Sequence, residues 1–323
     1  MSSIDLSKYN IRTDLIIENN ELIHDEKNVD GLVITTTKKD GNYITLSFND
    51  ITDNDNFCKV LETFTEIIDD ILKLNKINEG AKALIIGLGN VLSTPDSLGV
   101  KVLDDIIVTG HMYETGTVSD GMRCVYAFSP GVMASTGIES ARIIKSLINE
   151  IKPDFVIAID ALASRNLERI NKTIQITDTG IHPGSGIGNN RVEISMKTIG
   201  IPVIAIGVPT VVMSSVIVYD TLDYLVKHIS YIKDNESTNK LSFKRNNYLN
   251  KLKNHELSNK DKINLLGLFG SLNDIDKRNL INEVLNNTDL NLIVTPTEID
   301  FLIDKLSKLI AKSINSALHR QIN

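Results

Sequence analysis

Hydrophobic and polar positions near the start of the chain follow the two-residue period of a β-strand. Residues 31–48 read GLVITTTKKDGNYITLSF, in which two runs of β-branched and aromatic residues flank Asp40 and Gly41. An Asp-Gly pair between two such runs is typical of the tight turn of a β-hairpin. The pattern therefore predicts an N-terminal β element built on this hairpin.

A helical period replaces the strand period in residues 57–74. The apolar positions recur at spacings of three and four, which puts them on one face of a helix: Val60, Leu61, Phe64, Ile67, Ile68 and Ile71. Residues 137–152 show the same period. Both segments are predicted to be helices with one buried face.

The last predicted helix begins at Thr295. The sequence there is Thr-Pro-Thr-Glu, which reads as a capping box with proline at the first helical position. Its apolar residues form a stripe that we expect to dock on the core of the protein: Ile299, Leu302, Ile303, Leu306 and Ile310.

Short continuous apolar runs predict buried strands between the helices. They occupy residues 82–90, 124–131, 154–162, 173–180 and 201–210. Such runs are typical of parallel strands covered on both faces, and their alternation with helical segments indicates β-α-β units. The predicted fold class is α/β: a mostly parallel twisted sheet with helices on both faces, plus an N-terminal β element and C-terminal helices.

Composition narrows the location and the partners. The 323 residues are 42% hydrophobic, enough for one large core or two modest ones. The net charge of −7 gives no sign of a surface for nucleic acid or acidic membranes. No run has the length of a membrane span or the pattern of a signal peptide. We expect a cytoplasmic protein that binds neither nucleic acid directly nor a membrane.

We expect a single domain that is interrupted by one long polar segment. Residues 233–262 are polar and mixed in charge, which predicts a surface excursion or a partly disordered insertion.

The two cysteines, Cys58 and Cys124, lie far apart in the sequence and outside any CxxC motif. We therefore expect buried free thiols rather than a disulfide framework or a zinc site.

Two aspartates lie at or just beyond the carboxyl ends of predicted strands. Asp96 lies in the loop GLGNVLSTPDSLG at 87–99, after Gly87 and Gly89, and Asp160 lies in IAIDALASR at 158–166. Ligands and catalytic groups of open α/β sheets collect beyond the carboxyl ends of strands. An acid at the end of an apolar strand is costly to bury unless it is used, paired or hydrogen-bonded. The alternative for Asp160 is a helix N-cap before Ala161.

A third loop, residues 178–191, contains a histidine and alternate glycines. His182 precedes a proline, and Gly184, Gly186 and Gly188 follow. Such glycines allow close approach of a ligand or another chain, and their amides suit an anion or an oxyanion. A glycine-rich turn without a catalytic role is the alternative.

Two chemistries fit this set of residues. Two carboxylates that share a proton can activate a water against a peptide carbonyl and protonate the product. Alternatively, two carboxylates and a histidine can hold a divalent metal ion whose bound water attacks. Nucleophilic serine or cysteine catalysis has less support, because there is no Gly-x-Ser-x-Gly motif.

The chain resembles the germination protease family of spore-forming bacteria. The resemblance is carried, in order and over nearly the whole chain, by blocks at 5–15, 87–99, 129–140, 152–171, 175–195, 199–212 and 291–300. It implies an aspartic-type endopeptidase whose proposed catalytic pair falls on Asp96 and Asp160. The family core is similar to that of hydrogenase maturation proteases, so His182 is either a metal ligand or a residue that shapes the site.

The resemblance also implies how such a protein is made and what it cuts. The family consists of self-processing zymogens that form homotetramers and degrade small acid-soluble spore proteins, which implies a location in the forespore and spore core. Substrates are cut after an acid and before a large apolar residue. The family's propeptide ends at Asp14, so residues 1–14 are the expected propeptide, 15–323 the peptidase domain and Asp14-Leu15 the expected processing bond. Alternatives are a metal-dependent processing peptidase and a non-catalytic scaffold for spore proteins.

Overall fold

Strands and helices alternate through most of the chain. The structure, a computed structural model, describes residues 15, 24–183, 192–234, 252 and 255–320. The strands of this part are β1 (His24–Val29), β2 (Leu32–Lys38), β3 (Asn42–Ser47), β4 (Ala83–Gly87), β5 (Val125–Phe128), β6 (Phe155–Ser164), β7 (Thr173–Thr177), β8 (Val203–Met213) and β9 (Ile293–Val294). The helices are α1 (Asn54–Leu74), α2 (Leu98–Asp104), α3 (Gly110–Thr115), α4 (Met133–Thr136), α5 (Ser140–Ile151), α6 (Met196–Ile199), α7 (Ser214–Asp234), α8 (Asn259–Leu266), α9 (Leu268–Ser271), α10 (Asp274–Asn287) and α11 (Ile299–Leu318).

The chain divides into two compact units. The first unit comprises the described residues of 1–164, 168–211 and 295–323, and the second comprises those of 165–167 and 212–294. The second unit contains α7 to α10, together with β9, which pairs antiparallel with Val212 and Met213. All of the predicted site residues that the structure describes belong to the first unit.

The sheet of the first unit confirms the α/β prediction but is mixed rather than mostly parallel. Its strand order is β1-β2-β3-β7-β8-β6-β4-β5. Strand β4 pairs in parallel with β5 and β6, whereas β3 pairs antiparallel with β7, and β7 with β8. The N-terminal hairpin does not form a separate element: it continues the sheet through β3, and this brings antiparallel pairing into the centre.

Helices cover both faces of this sheet. On the first face, α1, α2 and α11 pack on Ile157 and Ile159 of β6 and on Ile174 and Ile176 of β7. On the second face, α5 and α6 pack on Val156, Ala158 and Leu162 of β6. Because successive strand side chains point to opposite faces, Asp160 and Gln175 both belong to the second face.

The hairpin and the first helix form where the pattern predicts them. Strands β2 and β3 pair antiparallel from Val33↔Ser47 to Lys38↔Asn42 around the Asp-Gly turn. Helix α1 buries Val60, Phe64, Ile67, Ile68 and Ile71. Asp53 caps its first turn by accepting a hydrogen bond from the Asn56 amide at 3.0 Å, which satisfies one of the exposed donors of the helix start.

The prediction for the start of the last helix is wrong by four residues. Helix α11 begins at Ile299, and Glu298 in the N-cap position makes no side-chain cap bond. The Thr295 hydroxyl instead donates to the Thr210 carbonyl on β8 at 2.9 Å, so Thr295 binds the sheet rather than the helix start. Four of the five residues of the predicted docking face are buried, namely Ile299, Ile303, Leu306 and Ile310, and Leu302 is half-buried.

Two smaller predictions have mixed outcomes. Cys124 is a buried free thiol as expected, but Cys58 is exposed, since it lies on α1 outside the apolar stripe. Most of the predicted polar excursion, residues 235–251 with 253–254, lies outside the described residues. None of the helices in the described part is both long and apolar enough to cross a membrane.

His319, just after α11, is buried, and each of its two ring nitrogens makes one hydrogen bond. These two bonds require a neutral ring. Its Nδ1 accepts from the Arg123 amide at 3.2 Å, and its Nε2 lies 3.3 Å from the Ile107 carbonyl. Nδ1 therefore carries no hydrogen. Burial lowers the pKa of His319 from its ordinary value of 6.5, and the nearby Arg123 charge acts in the same direction.

The His319 pKa makes stability depend on pH in a predictable direction. In the unfolded chain the ring takes up a proton below about pH 6.5, whereas the folded protein resists this uptake. The stabilising contribution is therefore complete above that pH and is lost as the pH falls toward the folded pKa. Urea unfolding of His319→Gln should show a flatter decline between about pH 7 and 5 than the wild type. The exposed His111 provides the control: an equal flattening in His111→Gln would contradict the assignment.

Candidate active site

Asp160 lies inside a strand and is almost fully buried. Only 5% of the residue is exposed, and β6 continues beyond it to Ser164. The alternative of a helix N-cap before Ala161 is therefore wrong. One carboxylate oxygen accepts a hydrogen bond from the Ala161 amide at 2.9 Å. Burial of an acid in a largely apolar strand costs desolvation free energy, which makes Asp160 a candidate functional residue.

Asp96 ends a short 3₁₀ turn, Thr94–Asp96, that follows β4. The turn is fixed from two sides: the Asp96 carbonyl accepts from the Asn90 amide at 3.0 Å, and the Pro95 carbonyl accepts from the Thr210 hydroxyl of β8 at 2.7 Å. Asp96 is half-buried. Its backbone is thus held between β4 and β8, the strands on either side of β6.

Gly89 makes this position of Asp96 possible. Its φ of +112° suits glycine and is rarely adopted by other residues. A Cβ at Gly89 would overlap the Asp96 carbonyl oxygen, and a Cβ at Gly87 would overlap the Gly99 carbonyl. Gly87 at the end of β4 and Gly89 two residues later thus let the loop fold back against the strand.

The loop that carries Asp96 starts beside the part of β6 that carries Asp160. The Leu88 amide donates to the Ile159 carbonyl at 2.8 Å, in register with the parallel pair of Gly87 and Ile159. Gly99 packs against the carbonyls of both Leu88 and Ile159. The segment that carries Asp96 therefore packs against β6 at Ile159, one residue before Asp160. Asp96 lies beyond the carboxyl end of β4, where ligands and catalytic groups of open α/β sheets collect. The predicted strand-end position of Asp160 is wrong, because Asp160 lies within β6.

His182 lines a pocket of about 650 Å³ on the second face of the sheet. Its Nε2 lies 3.8 Å from a carboxylate oxygen of Glu193. The same pocket is lined by Leu162, two residues after Asp160 on β6, and by Asp178 and Lys197. The structure therefore places His182 beside an acidic partner on the face to which Asp160 belongs.

Leu15, the residue after the expected processing bond, contacts this same pocket. Its amide donates to Oε1 of Gln175 at 3.0 Å, and its side chain packs against the apolar cluster of the second face. Gln175 is paired in register with Gly207 of β8, where an added Cβ would meet the Leu162 side chain. Leu162, Gly207 and Gln175 thus form a row across three neighbouring strands.

Gln175, Glu193 and Leu162 line or adjoin this pocket although no sequence motif marks them as site residues. A signal for Gln175 was present, because the alternation in TIQIT places Gln175 opposite to Ile174 and Ile176. The predicted glycines Gly184, Gly186 and Gly188 lie outside the described residues.

The fit of a metal ion can be judged from the donor atoms. Among the residues that the structure describes, no three His, Cys, Asp or Glu side chains form a group suited to a metal ion. Asp96, Asp160 and His182 are thus not part of such a group in the described residues.

Comparison with known proteins identifies the family. A family model described as germination protease matches residues 15–323. The germination protease of Bacillus subtilis strain 168 is 42% identical over 358 residues, covering 100% of this chain and 97% of that protein. The germination protease of Bacillus velezensis is 41% identical over 356 residues, covering 100% and 97%.

Among solved structures, a NiFe hydrogenase maturation protease of Thermococcus kodakarensis is 16% identical with a TM-score of 0.27, covering 45% of this chain and 80% of that one. That likeness is too low to bear on the site. The match to the family model and the full-length similarity to the Bacillus proteins lead to one conclusion. The chain belongs to the germination protease family.

Proposed function

We propose that the protein is an aspartic-type endopeptidase that initiates the degradation of small acid-soluble spore proteins in the forespore and spore core. Asp96 and Asp160 are the proposed catalytic pair. The observation that carries the proposal is the position of Asp160. This residue is only 5% exposed, and it directly follows Ile159, whose carbonyl binds the amide of Leu88 at the start of the loop that carries Asp96. Family membership supplies the protease activity.

The proposed chemistry needs only the two carboxylates and water. Two acids held close share one proton, because like charges repel. The ionised acid takes a proton from water, whose oxygen attacks the peptide carbonyl, and the protonated acid gives its proton to the departing amine nitrogen. The carbon–nitrogen bond breaks, and the products are a carboxylic acid and an amine. In this scheme His182, paired with Glu193, shapes the pocket and takes no part in proton transfer.

The protein is proposed to be made as a zymogen with residues 1–14 as its propeptide. The contact of Leu15 with the second face of the sheet supports this proposal, because it places the residue after the Asp14-Leu15 bond on the face to which Asp160 belongs. Substrate preference for an acid before a large apolar residue is consistent with that junction. A homotetramer is also proposed. The second unit exposes apolar side chains that such subunit contacts could bury, because Leu268 is 87% exposed and Ile275 is 68% exposed.

The direct test is cleavage of a purified small acid-soluble spore protein. Mass spectrometry should find cuts on the carboxyl side of an acid that precedes a large apolar residue, and a substrate with that acid replaced by Gln should resist. Light scattering of the same enzyme sample should give the mass of four chains. Exhaustive chelation should leave the rate unchanged. Loss of activity on chelation with recovery on metal addition would instead support the metal-dependent peptidase, and absence of any cutting would support a scaffold.

A further inference from the structure

Gln175 is a buried residue whose side chain makes one hydrogen bond within the described part of the chain, to the amide of Leu15. The residue is 2% exposed, and its Oε1 accepts from the Leu15 amide at 3.0 Å. Its Nε2 has no hydrogen-bond partner among the described residues. A buried amide with an unused donor costs free energy, so a structural role in the strand alone does not account for a glutamine at this position.

The pocket beside this contact has an acidic lining. Its charged groups come from several elements: Asp40 in the hairpin turn, Asp178 after β7, and Glu193, with Lys197 and the titratable His182 as the basic groups. Asp178 accepts hydrogen bonds from the Asn42 amide at 2.8 Å and from the Asn42 side chain at 2.6 Å. The lining has three carboxylates and one lysine, so its net charge is negative. Such a lining favours a bound cation.

Cleavage after Asp14 would create a cation at this position. Hydrolysis adds water across the carbon–nitrogen bond, so that Asp14 gains an α-carboxylate and Leu15 gains an amine. The amine takes up a proton at neutral pH, because an ordinary α-amino group has a pKa of about 7.7–8.0. A hydrogen bond from an ammonium is shorter and stronger than one from an amide N–H. The contact with Gln175 would therefore strengthen on processing, while the new carboxylate of the released propeptide would be disfavoured by the same acidic lining.

We propose that Gln175 and the acidic pocket form a binding site for the N-terminal ammonium of Leu15 in the processed chain. Gln175 supplies the neutral acceptor, the carboxylates of Asp40, Asp178 and Glu193 supply the field, and the apolar cluster of the second face holds the Leu15 side chain. The processed N-terminus is thus fixed on the face to which Asp160 belongs, and Gln175 acts as a positioning residue. This inference rests on the proposed processing at Asp14-Leu15.

The test measures how well the Leu15 amine is protected, without relying on self-processing. Residues 10–14 of the full-length chain are replaced by the recognition sequence of a site-specific protease that cuts before Leu15, and the folded protein is cut with that protease. The amine is then labelled briefly at pH 7 with an amine-reactive ester, and the N-terminal peptide is quantified by mass spectrometry. Labelling should be at least about tenfold slower in the folded chain than in urea, as one unit of raised amine pKa alone would produce.

Two variants assign the protection to Gln175. Gln175→Met keeps the length of the side chain but removes the acceptor, and should bring labelling close to the rate in urea. Thr173→Val, a buried polar residue on the same strand and face, should leave the protection intact. Equal labelling rates in folded and unfolded wild type would overturn the proposal, as would a folded Gln175→Met with undiminished protection. If Gln175→Met does not fold, Gln175→Glu, which keeps an acceptor, must retain slow labelling. Failure of the proposed peptidase function shows separately, as uncut spore protein.

Discussion

Asp160→Asn is expected to lower cleavage of a small acid-soluble spore protein by at least about a thousandfold, as removal of a catalytic residue does in other peptidases. The substitution keeps the shape of the side chain but removes its charge and its capacity to exchange a proton. The fold should survive, because an Asn oxygen can still accept the hydrogen bond from the Ala161 amide that Asp160 accepts at 2.9 Å. The measurement is kcat with a purified substrate, with circular dichroism as the check on folding.

Two further variants complete this experiment: Asp96→Asn, at the other proposed catalytic residue, and a control at an aspartate outside the site. Asp96→Asn should cause a loss of similar size, and the double variant should be little worse than either single one, because two groups that share one proton act as a unit. Asp104→Asn is a matched control, since Asp104 is exposed at the end of α2 and should leave the rate unchanged. Normal turnover in a folded Asp160→Asn or Asp96→Asn protein would refute the catalytic assignment.

The elements that the sequence predicts well are those with a strong local period. Helix α1 and the β2–β3 hairpin were predicted because their apolar residues follow a single rule over many positions. The antiparallel pairing of β3 with β7 was not, because nothing local in TIQIT specifies which strand will lie beside it. Thr295 shows the same limit at a helix start: its hydroxyl bonds the Thr210 carbonyl, and this long-range contact replaces the expected cap.

A site residue can be predicted from the sequence when it departs clearly from the pattern of its own strand. A residue that reaches the site only through long-range contacts carries no such local signal. Asp160 stands out because an acid in the apolar run FVIAIDAL violates the strand pattern, and such violations are concentrated at functional sites. Gln175 departs less from the pattern of its strand, because TIQIT already has polar residues at alternate positions. Its contact with Leu15 joins positions 160 residues apart, and no periodicity in the sequence encodes such a pair.

The second large expected effect is cleavage of the Asp14-Leu15 bond, which should depend on Asp160. Purified wild-type protein, expressed with all 323 residues, should acquire a new terminus at Leu15, whereas Asp160→Asn should keep its first residue. The physical reason is that Asp14-Leu15 joins an acid to a large apolar residue, and Leu15 is already held by Gln175 and the apolar cluster on the face to which Asp160 belongs. N-terminal sequencing of both proteins after the same incubation gives the result.

Further mixtures and variants show which molecule does the cutting and what it recognises. Adding a trace of wild-type enzyme to Asp160→Asn tests cleavage between molecules: a Leu15 terminus that forms only in the mixture means that one copy can process another. Asp14→Ala should slow processing, because the acid before the bond is part of the proposed recognition, whereas Asp5→Ala, which removes an acid that precedes Leu6, should leave the Leu15 terminus unchanged. A Leu15 terminus in Asp160→Asn incubated alone would mean that a contaminating protease makes the cut, and would remove the support that self-processing gives to Asp160 as a catalytic residue.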